Sequence, residues 1–134
     1  MTIFVLITLS AKINKNIMLS LNHKKLEVWK FSIKLIKEIY IFTECFPKYE
    51  MYGLSNQLRR ASISIASNIA EGSSRKSNLE RRRFFEIARS SLVELDTQLE
   101  ISFVLNYLKV EEISKFESDF IRLFKMLSSL INKT

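Results

Sequence analysis

The chain reads as all-α, an up-down-up-down bundle of four helices, and three observations point there. Apolar residues recur at steps of three and four over four separate stretches, the spacing that lines side chains along one face of a helix. Only two Gly and one Pro interrupt 134 residues, so elements are few and long and turns are scarce. The links between the periodic stretches are short, which makes an up-down bundle the simplest arrangement. With 47% hydrophobic residues, one domain of this length buries a core without disulfide staples.

Residues 1–17 stand apart from this pattern. Ile3 to Leu9 is an apolar, β-favouring run too short to span a bilayer, with no basic leader and no small-residue cleavage site. Met18 precedes the polar stretch Ser20 to Lys25. Two readings are open: an N-terminal extension that is not native, upstream of a natural start at Met18, or a genuine extra segment that packs on a partner. The bundle domain is residues 18–134.

The first helix runs from Leu26 to about Cys45. Trp29, Ile33, Ile36 and Tyr40 make one stripe, and Val28, Leu35, Ile39 and Phe42 a second beside it, an apolar width that calls for burial on more than one side. Phe46-Pro47 ends it, because proline disfavours helix at the preceding residue, and Lys48 to Gly53 leads onward.

The second helix, Leu54 to Glu71, organises the rest. Leu54, Leu58, Ala61, Ile65 and Ile69 form its apolar stripe, with Arg60, Ser64, Ser67 and Glu71 in a line around the side. The remaining face, Arg59, Ile63, Ala66 and Ala70, is mostly small, so neighbours are expected on two sides. Gly72 is placed as the residue past the helix end, followed by the polar link Ser73 to Lys76.

The third helix spans about Asn78 to Leu105, capped by Ser77 or Asn78, with Glu80 in its first turn. Phe84, Ala88, Leu92, Leu95, Leu99 and then Ser102 or Phe103 make its stripe. Arg81 falls on that stripe and needs a partner or an exit to water; Glu71 is the nearest carboxylate in sequence. Asn106 to Val110 turns the chain, and Ile113, Phe116, Phe120, Leu123, Leu127 and Leu130 mark the fourth helix, widened by Phe124 and Ile131.

No enzyme signature is present: neither G-x-x-x-x-G-K nor G-x-G-x-x-G occurs. One His and one Cys cannot assemble a zinc cluster, and no cofactor or metal is expected. Glu94, Asp96 and Glu100 suggest a di-iron bundle, but those sites need paired Glu-x-x-His motifs, and these acids read as a solvated face. His23 reads as an exposed spectator, Cys45 as a buried thiol or helix-end residue. A lone cysteine suits a reducing cytoplasm, and no membrane association is expected.

Charge is the feature with functional promise. The net formal charge is +7 with a pI near 9.6. Arg75, Lys76, Arg81, Arg82, Arg83 and Arg89 face only Glu80 and Glu86, whereas the stretch from Glu94 to Asp119 is strongly acidic. Arg59, Arg60, Arg75, Lys76, Arg82, Arg83 and Arg89 are the candidate nucleic-acid-binding residues, able to neutralise phosphates. In the other reading Arg82 and Arg89 pair with Glu86, and Arg60 with Glu71.

Gln57-Leu-Arg-Arg-Ala-Ser-Ile-Ser-Ile-Ala-Ser-Asn-Ile-Ala-Glu-Gly72, with Arg83-Phe84, Ser91 to Leu99, Lys25 to Trp29 and Tyr52-Gly-Leu54, resembles the four-helix bundle proteins of the 23S rRNA intervening-sequence family. The likeness covers roughly Lys25 to Lys125, and Ser67 to Gly72 is its most specific element. Where many members carry glycine, this chain has Ser74 and Ser90. The resemblance implies a bacterial protein, often encoded inside an insert of a large-subunit rRNA gene. It also implies a left-handed bundle that assembles as a ring, typically a homopentamer. RNA or other nucleic acid is the ligand it suggests, without a catalytic residue set. A scaffold or adaptor ring is the alternative, similar to the basic, pentameric accessory protein of diversity-generating retroelements, which binds a reverse transcriptase and its RNA.

Overall fold

The computed structural model describes residues 19–134, so both readings of residues 1–17 lie outside the described residues. Four α-helices form, α1 (Glu27–Thr43), α2 (Leu54–Ser74), α3 (Asn78–Val104) and α4 (Val110–Asn132), with 3-10 turns at Asn22–Lys25 and Lys48–Glu50 and no strand among the described residues. Both α1 and α3 pack against α2 and α4, whereas no Cα of α1 comes within 8 Å of α3, nor of α2 within 8 Å of α4. The four apolar stripes therefore meet in one core, centred on Leu35, Ile39, Leu58, Ile65, Leu95 and Leu123.

In α1 the buried line is Val28, Ser32, Leu35, Ile39 and Phe42, continued by Phe46 beyond the helix. Ser32 and Thr43 are tolerated in the core because their hydroxyls donate to the carbonyls of Trp29 (2.6 Å) and Ile39 (2.7 Å). The expected second stripe is only partly covered: Trp29, Ile36 and Tyr40 are half-buried and Ile33 is exposed. Aromatic rings close this end of the bundle, Phe42 lying 5.0 Å from Phe46 and 5.6 Å from Phe116. Beyond them the Tyr49 and Tyr107 hydroxyls meet at 3.0 Å, which pushes Tyr107 up to about 12. Cys45 lies just past the helix end and is exposed, which corrects the buried-thiol reading.

The second helix continues to Ser74, and Gly72 is inside it with no positive φ, so its role as the terminating residue is wrong. Its bare Cα serves contact instead. A methyl there would stand 2.6 Å from Cε1 of Phe85 and 3.1 Å from the carbonyl oxygen of Arg81. Ser73 and Ser74 extend the helix while donating to the Ile69 and Glu71 carbonyls at 2.8 and 2.7 Å. The small side chains of α2 admit α3 closely, and Ser64 and Ser91 share a 2.8 Å hydrogen bond across the seam.

Ser77 caps α3, its hydroxyl accepting the Glu80 N–H at 3.2 Å. The buried line of α3 is Phe85, Ala88, Leu92, Leu95, Leu99 and Ser102. Phe85, not Phe84, is its core aromatic, because Gly72 opens a slot for that ring. Phe84 is half-buried and Phe103 exposed. Arg81 does not pair with Glu71, which takes Arg75 instead; it is half-buried, with its Nε buried and lacking a hydrogen-bond partner. Asn106, at φ 65°, makes the turn into α4, a left-handed conformation that asparagine tolerates better than most residues. The fourth helix starts at Val110, where the Glu112 carboxylate accepts the Lys109 N–H at 3.1 Å.

Candidate nucleic-acid interface

The link between α2 and α3 gathers four of the seven candidate cations at one end of the bundle. Arg75 and Lys76 leave α2 directly, and Arg82 and Arg83 stand in the first turns of α3; all four are exposed. Lys76, Arg82 and Arg83 make no ion pair and no side-chain hydrogen bond among the described residues. Arg75 is partly engaged: its guanidinium reaches Glu71 at 3.2 Å and lies 4.8 Å over the Phe84 ring. Neither Arg82 nor Arg89 pairs with Glu86, and Arg60 does not pair with Glu71.

The other three are elsewhere. Arg60 is exposed, about 22 Å along α2 from Arg75 at roughly 1.5 Å per residue. Arg59 is a fastener between helices: its Nε donates to Thr43 Oγ1 at 2.8 Å and its guanidinium lies 4.6 Å over the Tyr40 ring. Arg89 braces α3 on α4, donating to Ser128 Oγ at 3.1 Å beside the Phe124 ring. Arg122 does the same between α4 and α1, 4.9 Å over Phe31, and nothing in the sequence singled it out. A second basic row lies outside the seven candidates: Lys30, Lys34 and Lys37 are exposed along α1, at i, i+4 and i+7.

The exposed arginines at the α2–α3 end carry permanent charge and forked donors that match phosphate oxygens. The acidic half of the chain lies toward the opposite end of α3 and along α4. There Glu38 of α1 is held above the usual carboxylate range, chiefly by burial; Lys115, 3.7 Å away, opposes the shift, and Asp119 adds to it. His23 is half-buried against the Trp29 ring at 5.1 Å, not a free spectator, and burial and Lys24 hold its imidazole below the ordinary value. Among the described residues no group of three His, Cys, Asp or Glu side chains is placed to hold a metal ion, and no helix is long and apolar enough to cross a membrane.

The sequence pattern of the 23S rRNA-intervening sequence protein family matches residues 24–129, which takes in α1 to α3 and all but the last three residues of α4. The chain belongs to that family. No curated protein matches the chain. Its fold is similar to the crystal structure of a protein of unknown function from the S23 ribosomal protein family of Bacteroides thetaiotaomicron VPI-5482, with a TM-score of 0.72 and 23% identity over 78% of this chain and 95% of that one. At that identity the likeness speaks to the fold alone.

Proposed function

We propose that this protein is a non-enzymatic, cytoplasmic RNA-binding protein, a left-handed up-down-up-down bundle whose copies assemble into a ring, with five as the expected number. The observation that carries the RNA reading is the trio Lys76, Arg82 and Arg83, exposed cations at one end of the bundle with no carboxylate partner among the described residues. Arg75 sits beside them, half-committed to Glu71. Repetition around a ring would multiply this modest charge into a basic rim. The ring reading is supported by the apolar side chains that a single copy leaves exposed on both α1 and the α3–α4 side.

The test is binding to structured RNA as a function of salt. Each phosphate neutralised contributes about 0.7–0.9 to the slope of log K against log salt. The Lys76→Ala/Arg82→Ala/Arg83→Ala variant should weaken binding and make that slope shallower by about two. Unaltered affinity and slope would remove these residues as the site. Capture from cells with and without nuclease distinguishes an RNA ligand from a protein partner such as a reverse transcriptase.

A further inference from the structure

We propose that the copies join head to tail, the groove between α3 and α4 of one subunit receiving the outer α1–α2 face of the next. This rests on the ring reading above and adds which two faces meet. Since α1 touches α2 and α4 but not α3, its outer seam with α2 lies on the side of the bundle opposite the α3–α4 groove. Leu92 and Phe120 line that groove, its walls leave Val93 (54%), Ile121 (50%) and Phe124 (42%) exposed, and Lys125 stands beside them, away from the α3–α4 turn. Toward the α3–α4 turn it continues between Asp96, Glu100 and Glu117, none of which has an ion-pair partner among the described residues.

The opposite face has the complementary character. Ile33 (42%), Ile41 (49%) and Ile63 (41%) are exposed there, interleaved with Lys37 and Arg60, which likewise make no ion pair among the described residues. Ile33, Lys37 and Ile41 form a ridge at i, i+4 and i+8, about two turns long; Val93, Asp96 and Glu100 run a similar length of α3. Apolar residues would meet apolar residues while the two charge signs neutralise each other. The acidic end of the groove, at Asp96, Glu100 and Glu117, also repels phosphate. Each copy carries one groove and one ridge on different faces, so the contact is heterologous, the kind that closes into a ring when the rotation from copy to copy completes a full turn and otherwise runs on as a filament.

Sedimentation velocity on two exposed-residue variants tests this: Asp96→Lys/Glu100→Lys spoils the groove and Lys37→Glu/Arg60→Glu spoils the ridge. Helix content and thermal unfolding establish that each remains folded. Each alone should be monomeric where the wild type is a multimer, and an equimolar mixture should co-assemble into a mixed multimer, because the intact ridge meets the intact groove and the two charge-reversed faces also meet as opposites. All four changes in one chain should restore the multimer. Wild-type assembly by either folded variant, or no co-assembly in the mixture, overturns the assignment of faces while leaving the ring reading standing; a monomeric wild type removes both.

Discussion

Replacing Gly72 with alanine should destabilise the protein, although helix propensity alone argues the reverse. Alanine is favoured over glycine in a helix interior by about 0.8–1.0 kcal/mol, and by less in a last turn such as this one. Against that, the added methyl would sit 2.6 and 2.8 Å from two carbons of the Phe85 ring and 3.1 Å from the Arg81 carbonyl oxygen. Phe85 is fully buried and cannot swing aside. Overpacking of this kind costs about 1–3 kcal/mol, so the steric term wins. The net loss should be about 1–2 kcal/mol, a fall in melting temperature of about 3–8 °C for a domain of this size. Thermal unfolding must be compared at one protein concentration, because assembly is linked to apparent stability. Phe85→Leu then supplies the decisive background: with the ring edge gone, Gly72→Ala should become neutral or mildly stabilising. A Gly72→Ala protein as stable as wild type refutes the close-approach argument, as does an equal loss in both backgrounds.

Three further substitutions test separate parts of the structure. Burial opposes ionisation of Glu38 in the fold, so its stabilising contribution is complete below the ordinary carboxylate range and is lost as pH rises through the raised folded value. Glu38→Gln should therefore raise the melting temperature at about pH 7 and lose most of that advantage at about pH 4; a uniform effect at both would be wrong for this cause. Arg59→Met should cost about 1–2 kcal/mol in denaturant titration by removing the Thr43 hydrogen bond and the stack on Tyr40, without changing the salt slope for RNA. Asn106→Val places a β-branched residue at φ 65° and should cost about 1–3 kcal/mol, whereas Asn106→Gly should be tolerated within about 0.5 kcal/mol.

The helices were readable because each buries a stripe whose three-and-four period is local to its own stretch. Their contacts were less so, since those depend on what the partner helix offers. Phe84 and Phe85 are adjacent and equally apolar, and only a glycine on α2 decides which ring enters the core. The same slot explains why Gly72 was mistaken for a helix terminator: a glycine near a helix end looks alike in both roles. The basic end was visible because Arg75 to Arg83 is one short run. Arg59 and Arg89 were grouped with it on charge alone, while their uses lie in partners 16 and 39 residues away. The lysine row of α1 is the polar side of a helix whose two apolar stripes carry the stronger pattern.

The whole account turns on surface that one copy cannot cover. Multi-angle light scattering on the purified protein at low micromolar concentration measures this directly. Ring assembly predicts a single species of several times the 15.7 kDa protomer mass, with five subunits as the specific value. A dilute, fully helical, cooperatively unfolding species of 15.7 kDa would contradict it.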